Sequence, residues 1–154
     1  MTVFLADERS EPLQPGPFVA LSELVLREEG MPSDAELAMI FVDVAQITEY
    51  NTRFMGRRGP TDVLAFPLED LEPGAPLVGR PGGPPPALGD VFICPEVVRA
   101  NADAAGVPFE DEMALIVVHG ILHLLGYDHG NDAEAAVMEA RERRLLSIAG
   151  REVP

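Results

Sequence analysis

The spacing of apolar and polar positions divides the chain into short strands and longer helices. Val3–Ala6 is an apolar run of strand length. Pro17–Glu29 places Phe18, Leu21, Leu24 and Val25 on one face, with a proline at its start and Gly30 past its end, which predicts a helix. Leu37–Val44 is dense in branched apolar residues and predicts a buried strand, followed by a helix over Asp43–Phe54. Asp62–Phe66 alternates like a strand and stops at Pro67. From Pro67 to Leu88 seven prolines and several glycines exclude regular structure. This excursion reads first as a surface insertion, and alternatively as a lid. Gly89–Cys94 is a further strand. Three helical patterns close the chain: Pro95–Ala105 before Gly106, Phe109–Leu125 before Gly126, and Asp132–Ala149 before Gly150. The last is opened by Asn131 with Glu134 three residues on. About four strands interspersed with helices, then helices in succession, predict an α+β or mixed α/β fold. Strand order does not follow from the pattern.

Composition narrows the picture. The 154 residues suit one domain over residues 1–154, and 47% hydrophobic with 24% charged residues excludes a disordered chain. The most apolar run, Met113–Leu125, is interrupted by His119, Gly120 and His123 and is shorter than the ~20 residues of a membrane span. No basic start leads into an apolar block at the N-terminus, so a cytoplasmic location is expected. The single cysteine, Cys94, agrees with a reducing compartment and reads as a small buried residue.

The net charge of −15 sets 26 acidic residues against 11 basic ones, every one of them arginine. Such a surface disfavours passive binding to nucleic acid or to anionic membrane, so any nucleic-acid contact must be local. Arg53, Arg57 and Arg58 fall within Tyr50–Thr61, a stretch without acid. They read either as a phosphate-directed patch or as solubilising loop charges. Arg141, Arg143 and Arg144 are interleaved with Glu139 and Glu142, and read as a solvated, salt-bridged helix face.

All three histidines lie in one window, HGILHLLGYDH, as His119, His123 and His129. The first two are four residues apart in a helical pattern, so their imidazoles project from one face about 6 Å apart. Gly126 permits the left-handed turn that ends the helix and brings His129 back toward them. Three imidazoles around one divalent ion leave a fourth position for water, the layout of a catalytic site. Isolated core histidines would instead pay desolvation without a partner on this apolar helix. Three imidazoles also suit nickel, copper or iron.

The same spacing occurs in the metzincin protease signature, H-E-x-x-H-x-x-G-x-x-H, but Gly120 stands where that signature has its catalytic glutamate, which argues against a peptidase. Two carboxylates are candidates for proton handling. Asp128, beside His129, reads equally as an acceptor for an imidazole N–H and as a turn residue. Glu112, two turns before His119, is about 10 Å away along the helix; it reads as a cleft-lining acid or as a helix N-terminal acid favoured by the dipole.

Together with GPTDVLAFP (Gly59–Pro67), LGDVFIC (Leu88–Cys94), Glu112 and Met138, the histidine window resembles the YbeY family of bacterial rRNA maturation factors. The resemblance spans Tyr50–Leu146 apart from the proline-rich excursion. It implies a mixed sheet of about four strands packed with helices, with the metal site on a C-terminal helix. It implies a single-strand-specific endoribonuclease acting in 16S rRNA 3′-end maturation and ribosome quality control, with Zn2+ held by His119, His123 and His129. Expected partners are therefore rRNA, the small ribosomal subunit and its assembly factors, with no membrane and no dinucleotide. One departure stands out: Met55 occupies the position where many members carry an arginine, with Arg53, Arg57 and Arg58 within three residues of it. The alternative class is a metal-stabilised assembly factor that binds rRNA or a ribosomal protein and cuts nothing, favoured by the acidic surface. Coordination by Cys94 would favour that alternative, because it would close the site.

Overall fold

Among the residues described by this computed structural model, 1–75, 77 and 81–154, four strands and five helices follow one another. They are β1 (Thr2–Asp7), α1 (Gly16–Glu28), β2 (Glu36–Phe41), α2 (Val44–Met55), β3 (Val63–Pro67), β4 (Ala87–Ile93), α3 (Pro95–Ala105), α4 (Phe109–Leu124) and α5 (Asp132–Ile148). The strands form one mixed sheet in the order β1-β2-β4-β3. β1 and β4 flank β2 in parallel, and β3 runs antiparallel to β4 at the edge. The architecture is α+β.

Local chemistry explains where elements differ from the pattern reading. β2 ends at Phe41 and not at Val44, because Asp43 caps α2: its carboxylate accepts the Gln46 N–H while the Gln46 side chain accepts the Asp43 N–H. β4 begins at Ala87, two residues inside the expected excursion, since Pro67 pairs with Gly89 in the β3–β4 register. Gly89 has φ 138°, and a Cβ there would meet the Phe66 carbonyl oxygen. Cys94 leaves the strand to become the N-cap of α3. The excursion falls partly outside the described residues, at 76 and 78–80.

Alternation within the strands sorts their side chains between two faces. Leu37, Met39 and Phe41 of β2 and Val91 and Ile93 of β4 face one way, into the main core with α1, α4 and α5. Leu64, Phe66 and Phe92 face the other way, where Ile47 and Tyr50 of α2 meet them. α4 is apolar nearly all round because it is enclosed by α1, α3, α5, β3 and β4. Ile121, Leu122 and Leu124 are fully buried, each worth about 1.5–3 kcal/mol of burial. His119 and His123 therefore stand on a helix enclosed on several sides by the rest of the fold.

Candidate metal centre

His119 and His123 project from the last two turns of α4. Past the helix end, Gly126 at φ 98° reverses the chain, with its N–H on the His123 carbonyl and the Tyr127 N–H on the Leu122 carbonyl. A Cβ at Gly126 would also run into the Leu71 carbonyl oxygen, so the loop after β3 packs directly on this turn. The reversal delivers His129. One ring nitrogen from each histidine lies within 4.8 Å of the other two, and no other donor joins this group among the described residues. The Nε2 atoms of His119 and His123 are 3.1 Å apart, a separation at which both can reach one ion with metal–nitrogen bonds of ~2.0–2.1 Å. The donor set thus fits a divalent transition metal.

At His123 the surroundings favour the neutral imidazole that a metal requires. Burial, and then the neighbouring His119 and His129, hold the His123 pKa below its ordinary value. Behind the cluster, His119 Nδ1 lies 2.7 Å from the Glu142 carboxylate of α5. Glu142 is 7% exposed and is not part of a solvated face, which corrects the reading of the C-terminal charge cluster. A signal for it was present: Met138, Glu142 and Leu145 share one stripe of α5, so Glu142 stands where an apolar residue belongs. Arg141 is likewise occupied, donating to Glu29, which also accepts the Tyr127 hydroxyl.

The histidines open onto a cleft of about 810 Å³. Arg57 and Arg58 line it together with Met55, Asp62, Leu71 and Asp128. Arg53 does not line it; its guanidinium lies over the Phe54 ring, 5.3 Å from the centroid. Asn51, another buried polar residue hidden in an apolar helix stripe, donates to the Gly59 carbonyl and so fixes the arginine loop against α2. Glu69, Asp70 and Leu71 put the first part of the excursion into the cleft wall, more than a bare surface insertion would do.

The two carboxylates singled out from the sequence take other places. Asp128 lines the cleft, but its side chain accepts the backbone N–H of His129, so it acts as the turn residue, and the imidazole acceptor is Glu142. Glu112 lies outside the cleft lining. Burial and the Asp62 charge raise its pKa. Gly120 faces away from the histidines: a Cβ there would lie 2.7 Å from Val91 Cγ1 and 3.1 Å from Val63 Cγ2. The position that carries glutamate in metzincins is here the contact between α4 and the sheet. Cys94 sits among Val42, Ile47 and Leu64, where burial raises its pKa, and takes no part in the histidine group. No described helix is long and apolar enough to cross a membrane.

Three convergent imidazoles at the edge of an arginine-bearing cleft, on an α+β domain, have the donor set of an open metal site of the catalytic type. Residues 17–150 match the family model described as Endoribonuclease YbeY. Proteins named Endoribonuclease YbeY from Mycolicibacterium paratuberculosis and Nocardia farcinica are 38% and 40% identical over 149 residues, 95% of this chain and 82% and 79% of theirs. The solution structure of TM1509 from Thermotoga maritima superposes with a TM-score of 0.62 at 28% identity, over 96% of this chain and 89% of that one. The chain belongs to the YbeY endoribonuclease family.

Proposed function

We propose that this protein is a zinc-dependent endoribonuclease that cuts single-stranded RNA in 16S rRNA 3′-end maturation and ribosome quality control, in the cytoplasm, with the small subunit and its assembly factors as partners. The observation that carries the reading is the three-imidazole group facing an arginine-bearing cleft of about 810 Å³. A bound divalent ion supplies Lewis acidity and lowers the pKa of coordinated water toward ~7. The chain's own residues do the rest. His119, His123 and His129 present convergent ring nitrogens, and Arg57 and Arg58 clamp phosphate oxygens in the role that Met55 cannot fill. Asp62, Glu69, Asp70 and Asp128, all on the lining, are the carboxylates available to exchange protons.

Charge supports a metal requirement for substrate binding as well as for chemistry. Asp62, Glu69, Asp70 and Asp128 line the cleft against Arg57 and Arg58, so a divalent cation at the histidines brings the formal charge of the cleft to zero. Cleavage of a labelled single strand, with analysis of the product ends, tests the reading. A 5′-phosphate end reports attack by water, and a cyclic or 3′-phosphate reports attack by the 2′-hydroxyl. Metal-raised stability without cleavage would return the chain to the assembly-factor class.

A further inference from the structure

Glu142 raises a question that the packing of α5 does not answer. It occupies a core stripe between Met138 and Leu145, is 7% exposed, and has one hydrogen-bond partner among the described side chains, His119 Nδ1 at 2.7 Å. Its sequence neighbour Arg141 is turned to Glu29 at the C-cap of α1 and does not neutralise it. A carboxylate withdrawn from water without a cationic partner is costly. The far side of the His119 ring supplies the missing term, since its Nε2 points to the place where the other two histidines converge.

We propose that Glu142 is a positioning residue of the metal centre: by accepting the Nδ1 proton of His119 it fixes the tautomer that leaves Nε2 free, and aims that nitrogen at the ion. The inference rests on the metal-site reading. It makes α5, which contributes no ligand, part of the site. The carboxylate raises the basicity of His119 as a ligand and places its negative charge one ring away from a dication. An amide at the same place can still accept the proton but brings no charge, whereas a methyl does neither. The order of metal affinity is therefore Glu, then Gln, then Ala.

The test is Zn2+ affinity by competition with a chromophoric chelator, with Co2+ absorption as a second probe, in wild type, Glu142→Gln, Glu142→Ala, His119→Ala and the double variants. Glu142→Gln should weaken Zn2+ about 10-fold and Glu142→Ala toward 100-fold. Neither should weaken it further once His119 is already alanine. Equal affinity in folded Glu142→Gln and wild type overturns the proposal, as does an equal loss with and without His119, which would mark a merely structural contact. If Glu142→Ala does not fold, the nitrogen-15 spectrum of wild-type His119 decides: a proton on Nδ1 is expected, and a proton on Nε2 overturns the proposal. Failure of wild type to bind either ion would overturn the metal-site reading itself, a result distinct from tight binding that ignores residue 142.

Discussion

Replacing Gly120 by alanine adds one methyl group at the contact between α4 and the sheet. The added Cβ would sit 2.7 Å from Val91 Cγ1, about 0.7 Å inside ordinary contact, and 3.1 Å from Val63 Cγ2. Neither neighbour yields easily: both are β-branched, and Val91 is fully buried within β4. Overpacking of this kind costs about 1–3 kcal/mol, against a helix-propensity gain of about 1 kcal/mol for alanine over glycine. The net loss is about 1 kcal/mol, or about 2–4 °C in melting temperature for a chain of this length. Relief requires α4 to move off the sheet, and His119 moves with it, so Zn2+ affinity should fall as well. Val91→Ala removes the clashing methyl; the double variant should be more stable than the two single losses added together. Scanning calorimetry and chelator competition read both effects. A Gly120→Ala protein that melts higher than wild type and binds Zn2+ unchanged would refute the close approach of α4 to the sheet.

Other predictions follow from the same geometry. Arg57→Ala combined with Arg58→Ala should weaken single-stranded RNA binding and flatten its salt dependence by about 1.4 in log–log slope, with Zn2+ affinity unchanged; an unchanged slope in a filter-binding titration would remove the patch from the account. Arg141→Ala leaves the buried Glu29 carboxylate with the Tyr127 hydroxyl alone, and should cost about 1–3 kcal/mol in urea unfolding, less in a Glu29→Gln background. Glu112 has a folded pKa above its ordinary 4.5, from burial and then Asp62, so it penalises the fold at neutral pH and the penalty fades as pH falls through that raised value. Glu112→Gln should accordingly raise the melting temperature at pH 8 and lose this advantage toward pH 4; an equal gain at both values would contradict the assignment.

Much of the fold was legible because its boundaries carry their own chemistry. Pro95 and Gly106 mark α3, Asn131 caps α5 through the Glu134 N–H, and Gly126 turns the chain at the place where His129 must return. The histidine spacing was legible for the same reason: a helix puts i and i+4 on one face whatever surrounds it. What escaped the sequence depends on which helix meets which partner. Glu142 looks like one more surface acid until α5 is laid against α4, and Gly120 looks like a lost catalytic position until α4 is laid on β4. Arg53 and Arg57 share an acid-free stretch, yet only the α2 C-terminus at Gly56, with φ 64°, decides that one joins an aromatic ring and the other the cleft. Sheet order is a matter of long-range pairing, on which the local pattern is silent.

The central claim is that the three histidines hold a metal that cuts RNA, and a cleavage assay on a labelled single strand tests it most directly. Metal-reconstituted protein is compared with chelator-stripped protein, and with folded His123→Ala carried through the same purification to expose any contaminating nuclease. The account predicts cutting by the reconstituted protein alone. Equal cutting by wild type and His123→Ala, or no cutting by a wild type whose melting temperature the metal still raises, would contradict it.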